Sequence, residues 1–252
     1  MAKNRQLPDG PVCIRTYPVT FLHDVTEARH RHDWHQLTFA VRGHLELVTD
    51  DARRLVPADR AVWVPAGTDH VEIMRAPVSM RMLYIARGAS DIAPPSCRTI
   101  SVTPLLRELI LHISRLGALD RRRAEQARLV GVLFDLLLAA PAVELELRSP
   151  ADPRARRFAE LVAEDPAQGS EKLARRAGAS VRTLERCFLA ETGTGLGQWR
   201  RRVRLFHALR LLEAGASVTD VASEVGYATP SAFSSAFARQ FGRTPTGRRR
   251  AK

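Results

Sequence analysis

The sequence predicts an α+β protein of two domains: a small β-barrel or sandwich, then a helical pair, then an all-α half. Three observations carry this. From Val12 to Arg87 short apolar runs alternate with Gly, Pro and Asp. From Thr103 to Ala140 the apolar period changes from two to about 3.6. Beyond Leu173 one pattern of about twenty residues occurs twice. A chain of 252 residues is long enough for two such domains, each with its own core.

Residues 1 to about 12 are polar, with Pro8, Gly10 and Pro11, and are expected to form a loose arm. The strand signals follow: VCIRTYPVTFL from Val12, HQLTFAVRGHLELVT from His35, RAVWVP from Arg60, HVEIM from His70 and MRMLYIA from Met80. Continued as a strand, the stretch from His30 to Ala40 puts His30, His32, Trp34, Gln36, Thr38 and Ala40 on one side. His70 would close that group from a neighbouring strand. Only here in the N-terminal half do polar and aromatic groups converge, so this is the default ligand-binding site. His35 and His44 fall outside the pattern and are expected at the surface.

Leu105, Leu109, Ile113 and Leu116 form one helical stripe, and Leu129, Val132, Leu133, Leu136 and Leu137 another, separated by Gly117 and Arg121–Arg123. Such a pair needs an antiparallel partner face or the surface of the barrel. Pro141, Pro150 and Pro153 mark a linker. The expected organisation is therefore 1–100 barrel, 101–140 helical pair, 141–153 linker and 154–252 helical domain.

The C-terminal half opens with a helix from Arg154 to Ala163. Ser170 is expected to cap the next, Glu171 to Ala177. The repeat then reads LARRAGASVRTLERCFLAETG from Leu173 and VASEVGYATPSAFSSAFARQFG from Val221, aligning Gly178 with Gly226, Leu184 with Phe233 and Phe188 with Phe237. Each copy is a helix, a Gly turn and a second helix whose start is marked by Ser180, or by Thr229 with Pro230. That is a helix-turn-helix. A long helix from about Leu196 to Ala214 separates them, with Trp199, Val203, Phe206, Leu209 and Leu212 inward and Arg200, Arg201, Arg202 and Arg204 outward. It is expected to hold the recognition helices about one duplex turn, ~34 Å, apart.

Charge agrees. Residues 151–252 carry 19 Lys or Arg against 10 Asp or Glu, a surplus of nine, whereas residues 1–150 carry a surplus of three. On the first recognition helix Arg182, Thr183, Glu185 and Arg186 face outward; the arginines suit bidentate bonds to guanine. On the second the equivalent positions are Ser231, Ala232, Ser234, Ser235 and Arg239, better suited to phosphate contact and shape readout. Arg175, Arg176, Arg200, Arg201 and Arg248–Arg250 are phosphate candidates. Cys13, Cys97 and Cys187 are isolated thiols without metal-ligand spacing, which points to a reducing compartment. No leader is apparent, and the most apolar run, Leu129 to Ala140, is too short to span a bilayer. A cytoplasmic, nucleoid-associated protein is expected.

The second copy and its tail, SVTDVASEVGYATPSAFSSAFARQFGRTPTGRR, resemble the C-terminal signature of AraC-family bacterial transcription regulators, and the first copy resembles their other helix-turn-helix. The match covers about the last hundred residues. HRHDWHQLTFAVRG followed by PAGTDH resembles, more loosely, the two motifs of the cupin barrel that such proteins often carry as a sensor. The resemblance implies a non-enzymatic, sequence-specific regulator controlled by a small-molecule effector. It also implies double-stranded operator DNA with two adjacent major-groove segments, and a homodimer through the helical pair. RNA polymerase is admitted as a further partner.

It places His30, His32 and His70 where a metal cupin has ligands, but with Gln36 in place of its carboxylate. Three imidazoles can still hold a divalent metal such as Zn²⁺ or Ni²⁺ with an open position. The alternatives are hydrogen-bonding histidines around an organic ligand, or histidines that brace loops. Rival functions are a metal-dependent cupin enzyme fused to a DNA-binding module, and an architectural binder without effector control.

Overall fold

The computed structural model describes residues 11–246. The chain divides between Glu146 and Leu147 into two compact units, a break that falls inside the expected linker. That segment is not free coil: Leu145 accepts from the Leu55 N–H, Glu146 pairs with buried Arg54, and Leu145 and Leu147 are buried.

The first unit is built on a nine-stranded antiparallel sheet. Its strands are β1 (Val12–Phe21), β2 (Val25–His30), β3 (His35–Val48), β4 (Ala52–Pro57), β5 (Arg60–Val64), β6 (His70–Ile85), β7 (Arg98–Ser101), β8 (Ala118–Asp120) and β9 (Glu146–Arg148), the last beginning at the final residue of this unit. β7, β5, β3, β6, β1 and β8 neighbour one another in that order; β2 also pairs with β6, and β4 with β3. The two expected strands HVEIM and MRMLYIA are one, β6. β2, β4 and the short β7 to β9 were not anticipated, because their sequences alternate weakly and only their partners hold them extended.

Both faces of the sheet are buried, which explains strands that read as nearly continuous apolar runs. On one face Leu37, Phe39, Trp63, Leu83 and Ile85 join the helices; on the other Val62, Val64, Met80, Met82 and Tyr84 form a second core. The inward phase of β3 changes along its length, from Gln36, Thr38 and Ala40 to Leu45 and Leu47, because register shifts lie on both sides of Arg42. Gly43 makes this turn at φ 74°, where a Cβ would stand 2.6 Å from the Pro77 carbonyl oxygen.

The helical pair is α1 (Pro104–Leu116), capped by Thr103, and α2 (Ala124–Ala139). Strand β8 lies between them, where only a turn was expected. The buried apolar residues are Leu106, Leu109, Ile110 and Ile113 on α1, and Val130, Leu133, Phe134 and Leu137 on α2, all packed on the sheet. The stripe is thus rotated from the expected one: Leu105, Leu116 and Val132 face outward. Leu106 and Ile110 continue the same 3.6 period, and contact with the sheet decides which edge of a broad apolar face is covered.

The second unit holds α3 (Pro153–Glu164), α4 (Ser170–Arg176), α5 (Val181–Thr192), α6 (Leu196–Glu213), α7 (Val218–Glu224) and α8 (Pro230–Phe241). Ser180 and Thr229 cap α5 and α8 by accepting from the Thr183 and Ala232 amides, as their sequences require. Gly193 and Gly242 end those helices in the left-handed region. Ser170 is not a cap: it is the first residue of α4, after Gly169. Two aromatic clusters meet α6. Phe158 and Phe188 gather with Trp199, and Phe233, Phe237 and Phe241 with Phe206. Leu212, expected inward, is half-buried.

Candidate functional site

The predicted group in the first unit assembles, although not along one strand. β2 ends at His30 and β3 begins at His35, so the alternation drawn from His30 to Ala40 is broken by the turn at 31–34. Pairing across β6 replaces it. Glu27 lies opposite Glu72; a register shift of β2 then puts His30 opposite His70. The His30 and His70 ring centroids are 4.3 Å apart, and His32 and His70 5.2 Å. Trp34 stacks on His32 at 4.9 Å with the ring planes 2° apart, and Tyr84 closes edge-on against both.

Below the rings runs a hydrogen-bonded chain. His32 Nε2 meets Gln36 Oε1 at 2.9 Å, and the Gln36 amide donates to Thr38 Oγ1 and Glu72 Oε1, each at 2.8 Å. His70, Gln36, Thr38 and Glu72 are buried, His32 nearly so, and Trp34 and His30 half-buried. Burial lowers the basicity of His32, and holds His70 down to about 4 because an imidazolium there would lose its hydration. Both rings are neutral at physiological pH.

Gln36 stands where the resemblance placed a carboxylate, but carboxylates lie close by. Glu72, two residues beyond His70 and therefore on the same face of β6, forms a second group with Glu27 and His30. The sequence signal for Glu72 is the period-two alternation His70, Glu72, Met74 along β6. His35 and His44 are not surface residues. His35 stacks on Trp63 at 4.9 Å and accepts from the Ala66 amide, and burial lowers its basicity; His44 is buried beside Arg75.

In the second unit Arg182, Glu185 and Arg186 are exposed on α5, opposite buried Leu184 and Phe188. Thr183 is half-buried, its hydroxyl engaged with Ser180. On α8 Ser231, Ala232, Ser235 and Arg239 are exposed and Ser234 half-buried. Arg175, Arg176 and Arg201 are exposed; Arg248–Arg250 lie outside the described residues. Arg200 is not a free outward cation. Half-buried, it donates to Ser170 Oγ and the Gln168 carbonyl, tying α6 to the start of α4. Arg204 donates to the Gly226 carbonyl and lies 5.2 Å over the Tyr227 ring, tying α6 to the turn of the second motif. Cys13, Cys97 and Cys187 are free thiols, the first buried. Among the described residues no helix is long and apolar enough to cross a membrane.

Comparison with known families matches residues 173–251 to a helix-turn-helix domain and residues 20–132 to an AraC-like ligand binding domain. The HTH-type transcriptional regulator NimR of Escherichia coli (strain K12) is 33% identical over 225 residues, spanning 88% of this chain and 82% of that protein. The HTH-type transcriptional regulator GlxA of Rhizobium meliloti (strain 1021) is 43% identical over 79 residues, 31% of this chain and 24% of its own. Among solved structures, unsaturated fatty acid-bound ToxT from Vibrio cholerae strain SCE256 aligns over 95% of both chains at 12% identity, with a TM-score of 0.38.

Proposed function

Since the chain belongs to the AraC family of helix-turn-helix transcriptional regulators, we propose that α5 and α8 read two adjacent major-groove segments of an operator, under control of an effector held by the first unit. The ligand-binding domain lies N-terminal and the DNA-binding domain C-terminal. The observation that carries the DNA reading is the duplicated motif: two capped helices whose apolar faces pack on one continuous helix, α6. Arg182 and Arg186, with Glu185, are the base-reading set. Arg175, Arg176 and Arg201 hold phosphates, and Thr183, Ser231, Ala232, Ser234, Ser235 and Arg239 set the register.

The effector occupies the cluster of His30, His32, Trp34, Gln36 and His70, whose imidazoles are also the place for a divalent cation. Effector binding acts by favouring one arrangement of the regulator over another. A homodimer is supported by the large apolar side chains left outward on α1 and α2, namely Leu105, Leu116, Val132 and Leu138. Such a protein acts in the cytoplasm, at the nucleoid.

Two experiments test this. Arg182→Ala or Arg186→Ala is expected to cost about 1–3 kcal/mol on the operator and relax preference at one base pair, whereas Arg201→Ala weakens all sequences alike. Equal losses on operator and random DNA for the α5 variants sink the placement of that helix. His32→Ala should abolish the effector response in a reporter strain while apo DNA binding stays within a few-fold. A normal response removes the effector from this cluster.

A further inference from the structure

One large apolar side chain on α5 faces water on the side of the helix that carries the arginines. Leu189 is 61% exposed, whereas Leu184 and Phe188 on the opposite side are fully buried. The helix has about 3.6 residues per turn, so seven residues bring it back to nearly the same bearing. Leu189 therefore stands in line with Arg182, with Glu185 to one side of that line and Arg186 to the other. Those three are exposed as well. The leucine lies along the middle of the candidate base-reading face, not at its margin.

The motif itself does not ask for a large apolar residue at this position. The capping glycines of the two copies fix the correspondence: the Gly193 N–H donates to the Leu189 carbonyl as the Gly242 N–H does to that of Ala238. In the second copy the residue is thus an alanine, half-buried on α8. The aromatic cluster beneath α5 is filled by Phe158, Phe188 and Trp199 without Leu189.

What such a side chain can bind in a major groove is narrow. Base edges there present hydrogen-bond donors and acceptors, with one apolar exception, the C5-methyl of thymine. A leucine set against any other edge strips water from polar atoms and returns no bond. Against the methyl it removes two apolar surfaces from water together.

We propose that Leu189 reads a thymine methyl in the operator segment bound by α5. The proposal rests on the placement of α5 in the major groove and adds a base identity to it. Leu189 lies one turn beyond Glu185 and Arg186, about 4.5–6 Å along the helix axis, and base pairs are stacked about 3.4 Å apart. The thymine accordingly falls one or two base pairs from the pair read by Arg186.

The test uses the full chain to enrich binding sites from a pool of random-sequence duplexes. The enriched site is then remade with deoxyuridine in place of each thymine in turn, which removes the methyl and nothing else. At one position wild type is expected to lose about four-fold in affinity, the worth of one buried methyl. Leu189→Ala should lose at least as much on the thymine duplex and bind the uridine duplex no more weakly, while Arg182→Ala keeps the uridine penalty. Leu189→Met, which retains an apolar tip, should restore most of the preference. An enriched site that is indifferent to uridine at every position, or a uridine penalty that survives in Leu189→Ala, overturns the proposal and leaves the groove placement of α5 standing. A pool that yields no enriched site overturns both. Leu189→Ala that binds both duplexes as wild type does, yet loses regulation in a reporter strain, overturns the thymine contact and assigns the residue to a protein surface.

Discussion

Acid should unfold the N-terminal unit by way of His70. The ring is fully buried, and burial lowers its pKa from 6.5 to about 4. An unfolded chain takes up a proton near 6.5, whereas the folded chain resists until about 4. The stabilising contribution is therefore complete above about pH 6.5, falls as pH falls through that window, and declines no further below 4. At about 1.4 kcal/mol per pH unit the loss by pH 4 is about 3 kcal/mol, a large part of the 5–15 kcal/mol typical of a domain, roughly speaking. His32, lowered by the same cause, adds in the same direction. Urea unfolding in the presence of chelator, followed by tryptophan fluorescence, reads this directly, because Trp34 stacks on His32. His70→Asn removes the titrating group, so the stability difference between wild type and variant should shift by about 3 kcal/mol between pH 7.5 and 4. A difference that stays constant across that range refutes the reasoning, and would mean that the folded state protonates His70 as readily as the unfolded chain does.

Two further outcomes are expected. Arg200→Ala should destabilise the C-terminal unit by roughly 1.5–3 kcal/mol in thermal melts, because it removes charged donors from Ser170 and the Gln168 carbonyl; unchanged stability with a salt slope of DNA binding reduced by about one would instead make Arg200 a phosphate ligand. Inserting five base pairs between the operator segments rotates one by about half a turn, since a full turn is about 10–10.5 base pairs, and should drop affinity to the nonspecific level. Retained affinity would show that α6 does not act as a ruler.

The C-terminal half was legible in the sequence because its determinants are local. Caps at Ser180 and Thr229, left-handed glycines at Gly193 and Gly242, and apolar faces at Leu184, Phe188, Phe233 and Phe237 are all set within a few residues of the chain. Local signals could not distinguish a cation that faces solvent from one that ties two helices together, so Arg200 looked like Arg201. In the N-terminal half the sequence determined that strands occur and that His30, His32 and His70 belong with Trp34 and Gln36. Tertiary structure decided how they meet. Their convergence comes from pairing β2 and β3 on either side of β6, with a register shift that turns His30 toward His70. The same pairing brought in Glu27 and Glu72, which no motif had marked. Strand register is a long-range property, specified by partners tens of residues away and by bulges of one residue. A pattern of period two cannot reveal where its own phase will break.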